Sequence, residues 1–300
     1  MKNTMHTMNK KWMAVTVAAC MILGLTGCGN TQTPASSAAS SAATAQSMAV
    51  TEESPETAQT PAVTLEPTVL LDQDGVRITA LGYDPDAMLG AWVPLRIENT
   101  SDRNVEVQTQ WGALNGWMMD ALGYFTVEAG QTVEDHILFI STEVHRADAA
   151  AAAQITLQLG VSDSETYQEV ANTGLVTLET SAAADYTPAA LPEGTLVYEG
   201  DGVRILASAA DDEMLGSELR FWAENTSDRT VTIRYDDLQL SGLESQNTIA
   251  ELLPGTREVD GLKLSGSAAD CAGKTLRLKL NVMDSNTYET LADQQVDVTL

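Results

Sequence analysis

The chain repeats itself once, and the length of the period restricts what it can fold into. Asp74-Gly75-Val76-Arg77-Ile78 returns as Asp201-Gly202-Val203-Arg204-Ile205. Met88-Leu89-Gly90 returns as Met214-Leu215-Gly216. The hexapeptide from Glu98 to Arg103 returns unchanged from Glu224 to Arg229. Asp163-Ser164-Glu165-Thr166-Tyr167 returns as Asp284-Ser285-Asn286-Thr287-Tyr288. The offset drifts only from 127 to 121, as short loop insertions would make it do. A solenoid repeats every 20 to 50 residues or so, whereas this period is long enough for each copy to bury a core of its own. Two tandem domains are therefore expected, at 67–180 and 195–300, with a linker over 181–194.

Each copy has the period of a strand. Val76, Ile78 and Ala80 alternate with polar residues, and their counterparts are Val203, Ile205 and Ala207. Val93, Leu95 and Ile97 match Leu219, Phe221 and Ala223. Ile155, Leu157, Leu159 and Val161 match Leu276, Leu278, Leu280 and Val282. A period of two places one set on a buried face and the other towards water. Turn signals separate the runs: Asp74-Gly75, Asn99 to Asp102, Asn115-Gly116 and Ala129-Gly130. An Asn-Gly pair suits a two-residue hairpin because a type I′ turn needs positive φ twice. Seven or more short strands in each copy predict an all-β chain of two sandwiches. The Ala149–Ala153 tract is expected to add one helical turn.

The order of these motifs resembles the immunoglobulin-like domains of many Gram-positive bacterial lipoproteins. They comprise an alternating strand, Glu-Asn-Thr-Ser-Asp-Arg, an Asn-Gly turn, the strand from Gly130 to Ile140, and the Asp163 to Tyr167 motif. That resemblance implies tandem immunoglobulin-like sandwiches at a cell surface. It carries over no catalytic residue, and the disulfide of antibody domains is missing from this sequence.

The N-terminal segment points the same way. Lys2, Lys10 and Lys11 precede an apolar run from Met13 to Leu25, which is short for a membrane span of about 20 residues. Leu25-Thr26-Gly27-Cys28 follows at once and resembles the lipobox of bacterial lipoproteins. The resemblance implies cleavage after residue 27 and a diacylglyceryl group on the Cys28 thiol, which anchors the chain outside the membrane. Two acyl chains hold where a single chain barely does. Residues 28–66, rich in Ala, Ser and Thr, are expected to form a disordered linker, with too little apolar surface to offset the entropy of ordering.

Removing residues 1–27 takes three of the 16 basic residues and none of the 42 acidic ones, which leaves a formal charge of −29. Such a surface repels phosphates, so nucleic acid is excluded as a partner. Cys28 and Cys271 are the two cysteines left, and lipid on the first rules out an internal disulfide. Cys271 is expected to be a small buried residue.

No zinc-protease, serine-hydrolase or phosphate-loop motif occurs, so a non-enzymatic protein without cofactor is expected. Asp135 and His136 suggest a catalytic pair, but adjacent strand residues point to opposite faces and should not meet as base and orienter. Carboxylates around the first strand of each copy (Asp72, Asp74, Asp84 and Asp86; Asp201, Asp211, Asp212 and Glu213) have the chemistry for calcium but not EF-hand spacing, and solvated turn residues are the simpler account. Four tryptophans are the best binding candidates. Trp92 and Trp222 lie opposite the buried faces of their strands, and Trp111 and Trp117 flank the Asn-Gly turn. Exposed Trp anchors protein partners and stacks on sugars. The expected function is binding or scaffolding of an envelope protein or cell-wall glycan. A passive spacer, an accessory subunit of a membrane complex and an enzyme of unrecognised type are the alternatives.

Overall fold

Two glycine turns open the two halves of the molecule in the same way. Asp74 and Gly75 take φ of 53° and 82°, and Asp201 and Gly202 take 51° and 78°. Each pair closes a tight hairpin: β1 (Thr68–Gln73) on β2 (Val76–Ala80), and, in the second half, β12 (Thr195–Gly200) on β13 (Val203–Asp212). The computed structural model describes residues 63–243, 245 and 247–300. The expected signal peptide, Cys28 and the linker as far as residue 62 lie outside the described residues.

The first half continues with β3 (Gly90–Asn99), β4 (Val105–Leu114), β5 (Trp117–Met118), β6 (Ala121–Leu122), β7 (Tyr124–Val127), β8 (Thr132–Ile140), β9 (Gln154–Asp163), β10 (Glu169–Asn172) and β11 (Val176–Glu179). The second continues with β14 (Gly216–Asn225), β15 (Val231–Gln239), β16 (Thr248–Leu252), β17 (Arg257–Lys263), β18 (Thr275–Asp284) and β19 (Thr290–Thr299). In the second half one sheet runs β12-β13-β14-β17 and the other β16-β15-β18-β19. In the first half β1-β2-β3-β8-β6 faces a sheet in which β4 lies between β9 and β7, with β10 and β11 on the far side of β9. With β13, β14 and β17 as strands A, B and E and β16, β15, β18 and β19 as C′, C, F and G, the second half has the strand order of an immunoglobulin-like sandwich, and β2, β3 and β8 opposite β7, β4, β9 and β10 repeat it in the first. Both halves are immunoglobulin-like β-sandwiches.

The alternation expected from the sequence is what the strands bury. Ile78, Val93, Leu95, Ile97, Ile155 and Leu159 are fully enclosed in the first sandwich, and Ile205, Leu219, Leu276, Leu278 and Leu280 in the second. Asn115 and Gly116 adopt φ of 53° and 78° between β4 and β5, as the type I′ turn requires. Cys271 is buried and free.

The repeated hexapeptide is a structural clip. The Asn99 amide is buried and donates to the carbonyls of Arg103 and Val127 at 2.8 and 3.0 Å. Its carbonyl accepts the Ser101 amide and hydroxyl at 3.1 and 2.6 Å. Asn225 repeats this with Arg229, Leu252 and Ser227. One buried amide therefore ties the turn after β3, or after β14, to the strand that crosses the sandwich. A buried amide is tolerated only when satisfied in this way.

Two expectations are corrected. The helix is α1 (Ser141–Arg146), one turn upstream of the alanine tract. Ala149, Ala152 and Ala153 are instead fully buried in irregular backbone, where small side chains let the chain pass close to the core. The fold also takes up the chain before residue 67. Leu65 is buried in the first core, and Thr64 exchanges two hydrogen bonds with Ser181 at 2.8 and 2.9 Å.

Candidate functional site

The hairpin of β4 and β5 does more than close a turn. β5 pairs in parallel with β17, Trp117 opposite Arg257 and Met118 opposite Glu258. One sheet therefore runs from the first sandwich into the second. Trp117 and Trp222 meet edge to face across this junction at 5.6 Å and 71°, each less than a tenth exposed. Leu206, Trp222 and Val259 of the second half belong to the core of the first. The expectation that Trp117 and Trp222 offer a surface to an outside partner is corrected here, because the outward face of β14 is covered by the neighbouring domain.

A buried ion cluster holds the same junction. The Arg146 guanidinium at the end of α1 grips Glu218 with two bonds of 3.0 Å. The Glu218 side chain has 0% exposure. Arg220 reaches it at 3.3 Å and Lys263 at 3.4 Å. Burial alone would raise the Glu218 carboxyl, yet Arg146 and Lys263 hold it below the usual range. Arg220 also binds Asp212 at 2.9 Å, and His145 reaches that carboxylate at 3.0 Å. Gly261 makes room for this: a Cβ there would sit 2.4 Å from Arg146 Nε. His136 fills the corresponding place in the first domain.

Beside the junction lies a cleft of about 410 Å³. Trp111, Met118 and Ile249 form its apolar wall, and Asp120, Glu143, Glu251, Glu258 and Asp260 supply carboxylates. Trp111 is half-buried against Ala113, Met118 and Leu253. Glu258 and Asp260 share the parity of Leu262, which is in the second core, so they occupy inward positions of β17. Burial, then Asp260 and Glu143, push the Glu258 carboxyl well above its ordinary range.

Burial likewise pushes Glu143 up to about 6, although the Asp120 amide donates to its carboxylate and Arg146 is near. The unfolded chain titrates this group at about 4.3. Between those values the folded state holds more protons, so this group lowers stability as pH rises through the window. Glu143→Gln keeps the acceptor for Asp120. It should raise stability by about 2 kcal/mol at pH 8 and by little at pH 4. Urea unfolding at both pH values tests this, and an equal effect at both would contradict the placement of Glu143.

Trp92 stacks on His136 at 3.8 Å and 19°, half-buried on the outer face of β3. Asp135 and His136 do meet, contrary to expectation. The carboxylate folds back along its own strand, accepts the His136 amide at 2.8 Å and lies 3.2 Å from Nδ1. The aspartates weighed for calcium are engaged locally: Asp84 caps Asp86, Asp72 pairs with Arg77, and Asp211 accepts Ser217 and Ala268. Among the described residues no group of three His, Cys, Asp or Glu is placed to hold a metal.

No family model and no curated protein matches the chain. Among solved structures it is similar to the CsuC–CsuE chaperone–tip adhesion subunit pre-assembly complex from archaic chaperone-usher Csu pili of Acinetobacter baumannii. The identity is 10% and the TM-score 0.22, over 69% of this chain and 90% of that one. The immunoglobulin-like assignment rests on the strand order of the chain itself.

Sequence reasoning placed Trp111 on the site but missed Arg146, Glu218, Glu143, Glu258 and Asp260. A signal for the last two was present, since two carboxylates alternate in step with Leu262 on a strand that should bury that face.

Proposed function

We propose that this is a non-enzymatic lipoprotein, anchored through Cys28 outside the membrane, that binds an envelope protein or cell-wall component in the cleft between its sandwiches. The observation that carries the reading is the junction itself. A shared strand pair, a shared core and a buried ion cluster hold the two domains as one body, so the cleft is formed before any partner arrives. Preformed concave sites with an apolar wall and a few polar groups are the usual form of binding sites, and preorganisation lowers the entropic cost of association. A passive spacer has no need of a half-buried Trp in a cleft.

The test is capture. The full chain in detergent is presented to solubilised envelope and to wall glycan, with Trp111→Ala beside it. Retention of a component by the natural chain, reduced at least tenfold by Trp111→Ala, is the expected result. Retention of nothing above background, or equal retention by both, overturns the proposal and leaves the spacer.

A further inference from the structure

We propose that the open edge of β8 in the first sandwich takes an extended peptide of a protein partner as an added strand, with a Lys or Arg of that peptide against Asp135. The groove beside this edge adjoins the cleft through Thr109, Ala121 and Leu122, but the inference stands on β8 and not on the reading of the cleft.

The register of β8 shows which of its backbone groups are spare. It pairs with β3 along its whole length, from Thr132 opposite Glu98 to Ile140 opposite Gly90. Bonds at the two ends of this ladder set its phase: Asn99 N–H donates to the Gln131 carbonyl at 2.8 Å, and Ser141 N–H to the Leu89 carbonyl at 2.9 Å. Antiparallel pairs alternate between bonded and non-bonded. The odd-numbered residues of β8 therefore bond to β3, and the even-numbered ones turn their amides and carbonyls the other way. β6 and Asp120 take up Leu138 and Ile140 on that side. Among the described residues, no strand pairs there with Thr132, Glu134 or His136. The His136 amide is met instead by the Asp135 carboxylate at 2.8 Å.

The second sandwich shows what such an edge accepts. Arg257 of β17 holds the place of Thr132, opposite Glu224 as Thr132 is opposite Glu98. Its amide donates to the Gly116 carbonyl at 2.9 Å, and β5, a strand from outside that sandwich, lies along it. An uncovered edge is a template for pairing.

A groove of about 390 Å³ opens beside the free stretch of β8. Leu122 and Tyr124, 53% and 60% exposed, give it an apolar rim. In strand addition, main-chain bonds supply affinity and pockets for alternate side chains supply specificity. Asp135 has the parity of Ile137 and Phe139, which are in the first core. Its carboxylate is nonetheless half exposed, since it borders the groove. An arriving strand needs the His136 amide and displaces that carboxylate, which then faces the side chains entering the groove. A basic side chain opposite satisfies it.

Charge also rules out occupants from the chain itself. No Lys or Arg occurs between Lys11 and Arg77, so the segment before β1 has no such side chain to offer. A second copy brings the same acidic edge, Glu134 and Asp135, on a strongly acidic chain.

Fluorescence anisotropy tests this, with the full chain in detergent and the dye-labelled peptide Val-Thr-Lys-Thr-Val-amide. The same peptide with Glu in place of Lys is the comparison. Saturable binding of the Lys peptide is expected, at least tenfold tighter than that of the Glu peptide. Glu134→Pro removes an edge-facing amide and no bond to β3, and proline is accepted on that side of an edge strand. It should melt where Glu134→Ala melts and bind the Lys peptide at least tenfold more weakly than Glu134→Ala does. Asp135→Asn keeps an acceptor for the His136 amide and should erase the preference for Lys over Glu, a readout that holds even if the proline unsettles the strand. Absence of saturable binding overturns the inference. So does equal binding to Glu134→Pro and Glu134→Ala, or a Lys preference that survives Asp135→Asn. A natural chain that is dimeric and becomes monomeric with Glu134→Pro also overturns it, and makes a second copy the occupant. Capture through Trp111 reads the cleft separately, so failure at this edge leaves that reading standing.

Discussion

Trp222→Ala should destabilise the chain by about 3–5 kcal/mol, the usual cost of truncating a buried aromatic. The ring is 6% exposed, meets Trp117 edge to face, and donates its indole N–H to Ser208 at 3.1 Å. The truncation removes that packing from the first core, to which Leu206 and Val259 also belong. It also removes the aromatic pairing, worth roughly 0.5–1.5 kcal/mol beyond the buried area. What remains at the junction is a two-residue parallel strand pair, the ion cluster and the smaller apolar contacts of Leu206, Val259 and Leu253. Strand pairs this short have little stability of their own. Loss of the ring should therefore separate two transitions that the natural chain makes as one. Guanidinium unfolding followed by circular dichroism and by tryptophan emission reads this directly. Trp92→Ala is the comparison, since that ring is half-buried and stacks on a partly exposed histidine. Equal shifts for the two variants would mean that Trp222 is not part of the lock.

This junction also marks where reading the sequence stopped. The sandwiches were legible because each strand carries one face of Val, Ile and Leu, and because Asp-Gly and Asn-Gly pairs fix where the chain reverses. The hexapeptide was legible as a turn, though its real task, a buried amide clipping two strands, needs the crossing strand to be known. What one domain does to the other was not legible. Trp222 takes the outward parity of β14, and outward on an isolated sandwich means exposed. It is buried because the neighbouring domain supplies a second core. Tertiary packing overrides the local pattern wherever a second body covers a sheet. The cleft was hidden for the same reason: Glu143 and Glu258 are 115 residues apart, on different domains. The Asp135–His136 expectation failed for a smaller reason, since a carboxylate one methylene from the backbone can turn back to its neighbour's amide.

Glu218→Gln should cost a further 3–5 kcal/mol or so, the range for breaking a buried ion pair from one side. The substitution keeps the size of the side chain, so packing is not what changes, but it removes the charge and turns one acceptor oxygen into an NH2 donor facing the N–H groups of its partners. It leaves Arg146, Arg220 and Lys263 around a neutral group with no exposure. Uncompensated buried charge is the larger part of such a loss. The companion Arg146→Met should cost less, because Arg220 and Lys263 still neutralise Glu218. The double variant should cost less than the sum, with a coupling of about 0.5–3 kcal/mol. Acidity gives a second test. Glu218 is held below its ordinary range, so its stabilising contribution is full above the unfolded value of about 4.3 and fades as pH falls through the folded one. The difference between natural chain and Glu218→Gln should thus be constant from pH 6 to 8 and shrink towards pH 3. A difference that stayed constant to pH 3 would assign the loss to packing and not to charge. A loss below 1 kcal/mol at neutral pH would mean that water reaches the cluster and that the domains are held by the tryptophans and the shared strand pair alone.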